Sequence, residues 1–395
     1  MSHLPAPSHV SAGLIAVLVG FTSSAVIIFQ AAAAAGADAA QVSSWLWALC
    51  LGCGLTSIGL SLRYRAPVLT AWSTPGAALL AGSLGGLGMG EAVGAFLFSA
   101  ALITLSGVTG LFARLMQRIP QALAAAMLAG VLLRFGLELF GAFEQQALLV
   151  GSLFLAYLAG KRLLPRYTIL LVLLLGIGLA WRLGLLHWQA VELAVAVPQF
   201  VRPEFSWAAL VGVGIPLFVV TMASQNLPGV AVLRTAGYER VPVSPLIAWT
   251  GLASLLLAPF GGFAINLAAI TAAICAGPEA GQEPQRRYWA ALCAGSFYLL
   301  IGLFGATVAS LFAAFPQALI LAIAGLALLV TLSNSLAGAL QDVRQREPAL
   351  ITFLVTASGL SLFGVGAAFW GLVAGGLASV VLNGRLSRPA RGTEP

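Results

Sequence analysis

Two amides stand side by side at Gln225 and Asn226, after Ser224 and before Leu227-Pro228-Gly229, in an otherwise apolar stretch. Amide groups inside an apolar helix must find partners, and a substrate carboxylate would supply acceptors for their N–H groups. Hydrogen bonding between helices is the competing use. A second pair of signals sits at Ser73-Thr74-Pro75-Gly76 and at Asn266. Ser73 or Thr74 caps a helix whose first position is Pro75, and Asn266 caps an alanine-rich run. A helix start offers free N–H groups and a partial positive charge, so two facing starts make an anion site without a basic side chain. The competing reading is a pair of Pro/Gly kinks relieved by packing. Trp72 and Phe263 are placed to flank an aromatic ring, and Gln30, Ile265 and Leu267 join the same substrate-binding set.

Other chemistry is sparse. No nucleophile and base, paired carboxylates or metal-ligand spacing occurs within the apolar runs, so neither an enzyme nor a cofactor or metal is expected. Cys50 and Cys53 form a C-x-x-C inside ALCLGCGL, where small packing residues on one helix face are the simpler reading. Cys275 and Cys293 suggest no disulfide framework. The acids are peripheral: Asp38, Glu91 and Glu138 are the weak candidates for carrying a proton, and Arg134 with Glu138 at i, i+4 reads as a local ion pair.

The elements that must position these residues are membrane spans. Of 395 residues 60% are hydrophobic and only 8% charged, with a mean hydropathy of +1.00, against about 25% charge in a soluble chain. A soluble enzyme, a nucleic-acid-binding module and a disordered chain are thereby excluded. Apolar runs begin near residues 10, 42, 66, 91, 120, 145, 167, 207, 243, 263, 288, 316, 348 and 366, predicting fourteen all-α segments. With the N-terminus in the cytoplasm, sixteen of the nineteen basic residues fall inside and only Arg134, Arg182 and Arg202 outside. The positive-inside rule is then satisfied and both termini are cytoplasmic. The first apolar run, which lacks a basic n-region and a cleavage site, reads as a retained span. The net charge of +7 needs no polyanion partner.

Pro120-Gln121-Ala122-Leu123 recurs 196 residues later as Pro316-Gln317-Ala318-Leu319, and Ala34-Ala35-Gly36-Ala37-Asp38 is weakly echoed by Thr235-Ala236-Gly237-Tyr238-Glu239. Seven segments per half is odd, so the second half enters the membrane inverted. Segments three and ten hold equivalent places, and neither makes a good continuous helix. As a helix, Phe263 to Ala276 reaches only about 21 Å of the roughly 30 Å hydrocarbon core. With about four residues extended the reach becomes about 28 Å, and both half-helices begin near the midplane.

The stretches TAWSTPGAALLA (Thr70 to Ala81), ASQNLPGVAVLRTAGY (Ala223 to Tyr238) and NLAAITAAICAG (Asn266 to Gly277) resemble the benzoate–proton symporter (BenE) family, a relative of nucleobase and sulfate-type carriers built on a seven-plus-seven inverted repeat. The resemblance runs along nearly the whole chain. It implies a core domain of residues 1–119 and 205–314 and a gate domain of residues 120–204 and 315–395. It also implies elevator-type alternating access and a homodimer through the gate, in a bacterial inner membrane. Nucleobase carriers of this fold carry an acid in segment eight and another after the Gly-Gly of segment ten. Those places fall near Ser224 and on Ala269, so both acids are absent. Their loss favours an anionic substrate and leaves the proton's carrier unassigned. The expected function is import of benzoate or a related aromatic carboxylate with protons. The alternatives are a nucleobase:proton symporter and an inorganic anion transporter or channel.

Overall fold

The computed structural model describes residues 5–111, 121–165, 167–186, 191, 193–360, 362–363 and 367–383. Apolar composition produces helices throughout. In order these are α1 (Pro7–Ala34), α2 (Ala39–Tyr64), α3 (Thr74–Ser83), α4 (Met89–Val108), α5 (Gln121–Leu163), α6 (Thr168–Arg182) and α7 (Trp207–Arg234). They are followed by α8 (Val243–Leu257), α9 (Ile270–Ala276), α10 (Tyr288–Leu303), α11 (Gly305–Ala313), α12 (Gln317–Leu340), α13 (Arg346–Ala357) and α14 (Ala367–Asn383). Among the described residues six helices are long and apolar enough to cross a bilayer, or eight if each of two bent pairs is one span. The protein is therefore a multi-pass membrane protein. Part of the sequence, including Arg114, Arg118, Arg166, His187 and the basic C-terminal tail, lies outside the described residues.

Helices α5 and α7 each contain a departure from regular α geometry. At Gln146 the backbone of α5 leaves helical geometry (φ −145°, ψ 66°), and two helices meet there. In α7, π turns at Leu210–Gly214 and Met222–Asn226 each precede a proline by two residues, at Pro216 and Pro228. Proline cannot donate to the carbonyl four residues back, and a wider turn absorbs the lost bond.

The helices pack as two groups. In one, α2 lies on α10, α4 on α8, and α1 against α3 and α10. Glycines permit these approaches: a Cβ at Gly54 would sit 2.9 Å from the Gly295 carbonyl oxygen, and one at Gly251 would sit 2.7 Å from the Thr104 nitrogen. Bulkier residues there would push the helices apart, as expected for packing in lipid. In the other group, α5 packs on α12 and α13, and α13 on α14.

Between α2 and α3, and again between α8 and α9, the chain becomes extended. Strand β1 (Thr70–Trp72) pairs antiparallel with β2 (Ile265–Leu267), with Ala71 opposite Asn266. The ladder continues past both ends, with Ser73 N–H donating to Ala264 at 3.0 Å and Ala268 N–H to Leu69 at 3.0 Å. This pairing corrects the expected start of the second half-helix. Residues 264 to 268 are held by the ladder, so α9 begins at Ile270, not after Asn266. The Asn266 amide instead donates to Ala264 O at 2.8 Å, beside the positive φ (40°) of Ala264.

Polar groups on the outer edges of the ladder find side chains on neighbouring helices. Ser57 of α2 accepts from Thr70 N–H (3.0 Å), and one turn later Ser61 both accepts from Val68 N–H (3.1 Å) and donates to Val68 O (3.0 Å). On the other side Ser254 of α8 accepts from Ile265 N–H at 2.8 Å. All three serines are buried. Removing such an acceptor leaves a buried N–H unpaired, at a cost of about 1–3 kcal/mol. Ser57→Ala and Ser254→Ala should therefore each lower the Tm of detergent-solubilised protein by several degrees, whereas Ser11→Ala, at an exposed position, should not. Equal melting curves for all three would contradict the assigned support.

Candidate functional site

Ser73 is the N-cap of α3, and its hydroxyl accepts from Gly76 N–H at 3.0 Å. Thr74 is the first helical residue and Pro75 the second. Pro75 has no N–H and Gly76 is already bonded, so in this first turn the backbone donor left free is that of Thr74. The start of α3 is thus a narrower anion site than its sequence suggests. Helix α9 has only seven residues and starts at a cap, Ala269, whose side chain accepts nothing.

A cavity of about 1140 Å³ lies between the two packing groups. One wall comes from α1, β1, α3, α7, α9 and α10, and the other from α5, α6 and α12. Of the residues singled out from sequence, Trp72, Thr74, Ser224 and Gln225 line it. Gln225, half-buried in the π turn, makes no side-chain hydrogen bond among the described residues, and its amide is free for a ligand.

The others hold the frame. Asn226 is fully buried, and its Oδ1 accepts from Leu267 N–H at 3.0 Å while its Nδ2 donates to Met222 Sδ at 3.3 Å. It anchors β2 to α7. Gly76 lies where a side chain would strike Leu217 of α7, Ile265 packs against Gly52 of α2, and Leu267 against Gly229 of α7. Phe263 joins Trp45 and Phe96, with ring centroids 5.8 and 5.7 Å away. Asn266 and Gln30 each keep a buried side-chain oxygen without a partner, and neither lines the cavity.

The three peripheral acids are engaged elsewhere. Asp38 caps α2, accepting from Gln41 N–H at 2.8 Å, and Glu91 accepts from Gly88 N–H at 2.9 Å at the start of α4. Glu138 pairs with Arg134 at 2.7 Å, as its spacing predicts. None lines the cavity. Among the described lining residues the charged ones are Lys161 and Asp342, both exposed at helix ends, so the buried end of the cavity is uncharged. Metal-capable side chains do not gather in threes among the described residues, and none of the four cysteines, all of them described, is in a disulfide.

Several lining residues escaped the sequence reading: Gly20, Thr22 and Ser24 on α1, Thr271 on α9 and Tyr298 on α10. Trp72 Nε1 donates to Ser24 Oγ at 2.8 Å, and Ser24 in turn donates to Gly20 O at 2.7 Å, which fixes the indole. The ring meets Phe21 and Tyr298 edge-on, at 5.8 and 5.7 Å between centroids. A tyrosine midway along an apolar helix was the available signal, because its hydroxyl needs a partner when buried.

Comparisons with known proteins agree along the whole length. Residues 4–381 match the family model described as "Benzoate membrane transport protein". The chain is 52% identical over 377 residues to "Inner membrane protein YdcO" of Escherichia coli, covering 95% of this chain and 96% of that one. It is 42% identical over 371 residues to the "Benzoate membrane transport protein" of Acinetobacter baylyi, with 94% of each covered. Among solved structures it resembles the transmembrane domain of the cyanobacterial bicarbonate transporter BicA (TM-score 0.59, 16% identity, 95% and 96% covered). It also resembles the murine Solute Carrier 26 family member A9 anion transporter in the inward-facing state (TM-score 0.63, 13% identity, 97% and 69% covered). At such identities these structures share the fold.

The two neighbouring amides can be separated by stability. Asn226→Ala leaves the buried Leu267 N–H without an acceptor, costing about 1–3 kcal/mol, whereas Gln225→Ala removes no bond within the protein and should stay within about 0.5 kcal/mol. Thermal unfolding of both variants in detergent, without ligand, checks this; an equal loss in both would contradict the division of labour.

Proposed function

Because the chain belongs to the benzoate membrane transport family, and is thereby a transport protein and not an enzyme, we propose that it imports benzoate or a closely related aromatic carboxylate with protons across the bacterial inner membrane. The observation that carries this reading is the cavity between the two helix groups, aromatic and uncharged where it is buried. Trp72 supplies a flat apolar wall for a ring. Thr74 N–H and the Gln225 amide supply neutral donors for a carboxylate, next to the positive end of the α3 dipole. A fixed cation would hold an anion more tightly, but it would also slow release into a cell that must receive the cargo.

The same proposal includes alternating access by an elevator movement. The group containing α1–α4 and α7–α11 is the core that carries the site, and the group containing α5, α6 and α12–α14 is the gate, through which two copies associate. Fourteen spans in two inverted repeats underlie it. Support comes from symmetric packing, since α2 on α10 and α8 on α4 are the same contact exchanged between halves. The pairing of β1 with β2 joins equivalent places of the two halves. The exposed end of the cavity, at Lys161, Gln341 and Asp342, lies beside Arg162, Arg344 and Arg346. The positive-inside rule makes that end cytoplasmic, along with both termini, and the cavity then opens inward.

Purified protein in liposomes should accumulate labelled benzoate when an inward proton gradient is imposed, and a protonophore should abolish accumulation. Excess bicarbonate, sulfate or uracil should not compete. Gln225→Leu should reduce uptake about tenfold or more, the loss of a hydrogen bond to a charged group. Uptake that ignores the gradient removes the proton coupling; displacement of benzoate by bicarbonate or uracil moves the protein to another substrate class.

A further inference from the structure

Tyr298 has an environment that nothing inside the protein explains. It lies ten residues into α10, about 15 Å from the helix start, near the middle of a bilayer. The side chain is fully buried, lines the cavity, and its hydroxyl has no hydrogen-bond partner. Buried hydroxyls without partners are rare, because the group loses water and gains nothing in exchange. A phenylalanine would fill the same volume without that cost.

The surroundings are arranged about the hydroxyl. Gly20 of α1 faces it: a methyl group there would sit 3.3 Å from Tyr298 Oη and 3.2 Å from Thr271 Cγ2, so a side chain at this position would crowd the hydroxyl that the glycine leaves bare. Trp72, Ser24 and Thr271 complete the patch, and all line the cavity. Trp72 Nε1–H and the Ser24 hydroxyl proton are already engaged, in the chain from Trp72 through Ser24 to Gly20 O. The hydroxyls of Tyr298 and Thr271 are therefore the donors of this patch without a partner among the described residues, and of the two it is the Tyr298 hydroxyl that is shut off from solvent. Its ring is held edge-on to the Trp72 ring at 5.7 Å, which fixes where the hydroxyl points.

We propose that Tyr298 is a substrate-binding residue that determines specificity: its hydroxyl donates a hydrogen bond to a carboxylate oxygen of the aromatic acid, whose ring lies by Trp72. This rests on the reading of the protein as an aromatic-carboxylate carrier. A hydroxyl held unpaired in a dry site favours substrates that bring an acceptor, and an apolar ring lacking one would leave the hydroxyl as it is. Selectivity for the carboxylate over the bare ring follows without a charged residue.

The test is Tyr298→Phe, which removes the hydroxyl and nothing else. In ligand-free protein no internal bond is lost, so the Tm should be unchanged or higher. Benzoate affinity, measured by calorimetry on purified protein, should fall about ten- to one-hundredfold, the range for a hydrogen bond to a charged group. An affinity within twofold of wild type overturns the proposal, and so does a marked fall in Tm, which would mean the hydroxyl is bonded inside the protein. A second measurement needs no stable variant. In wild-type protein labelled with 3-fluorotyrosine at its six tyrosines, saturating benzoate should shift a buried fluorine resonance; if none moves, the proposal fails. Wild-type protein that binds no benzoate sinks the carrier reading itself, whereas intact wild-type binding with an indifferent Tyr298→Phe removes this inference alone.

Discussion

Where no water reaches a peptide group its partners must come from the protein, and this membrane protein keeps two stretches of non-helical chain buried among its helices. Everything at the site depends on how those stretches are paired. Residues 69–73 and 264–268 bond to each other, and their outward-facing groups are taken by Ser57, Ser61, Ser254 and Asn226. Three helices, α2, α7 and α8, thus act as substitutes for solvent. These bonds let α3 begin inside the fold, with Thr74 at the cavity wall. The glycine contacts follow from the same need: the serines reach the ladder only if the helices carrying them lie close.

A site built in this way has a particular electrostatic character. Its positive potential comes from backbone and amide dipoles, fixed in place by covalent geometry and by hydrogen bonds, and not from a mobile cation. Dipoles fall off faster with distance than charges do, so the attraction is local to the cavity wall. The charged side chains lining the cavity, Lys161 and Asp342, sit at its exposed end, where water screens them. From that end inward the lining passes from a solvated region of mixed charge to an uncharged one, where the polar groups on offer are neutral.

The sequence carried the local signals well and the distant ones poorly. Ser73-Thr74-Pro75 announces a helix start, because capping is a property of adjacent residues, and the structure starts α3 at Thr74. Asn266 carries the same kind of signal, yet its segment is captured by a strand almost two hundred residues away, and tertiary pairing displaced the helix start to Ile270. Gln225 and Asn226 look equivalent on paper. A π turn aims one at the cavity and the other at a backbone N–H forty-one residues on, and nothing in the pair itself tells which. Tyr298 was overlooked for a different reason. Its immediate neighbours, Phe297 and Leu299, are apolar, and its unpartnered hydroxyl becomes visible only when Gly20, Trp72 and Thr271 are brought around it.

The two π turns of α7 carry a consequence for how such a protein diversifies. Each holds one residue more than an α turn would, and each lies two residues before a proline that already breaks the regular bonding. Gain or loss of a single codon at such a point converts one kind of turn into the other and is absorbed there, so that the helix that follows keeps its register and its packing. Elsewhere in a packed membrane helix an indel of this kind would be ruinous. The segment around Ser224, Gln225 and Asn226, which lies in such a turn at the cavity wall, is thus a place where the length of the wall can change by one residue without re-registering Leu227–Thr235.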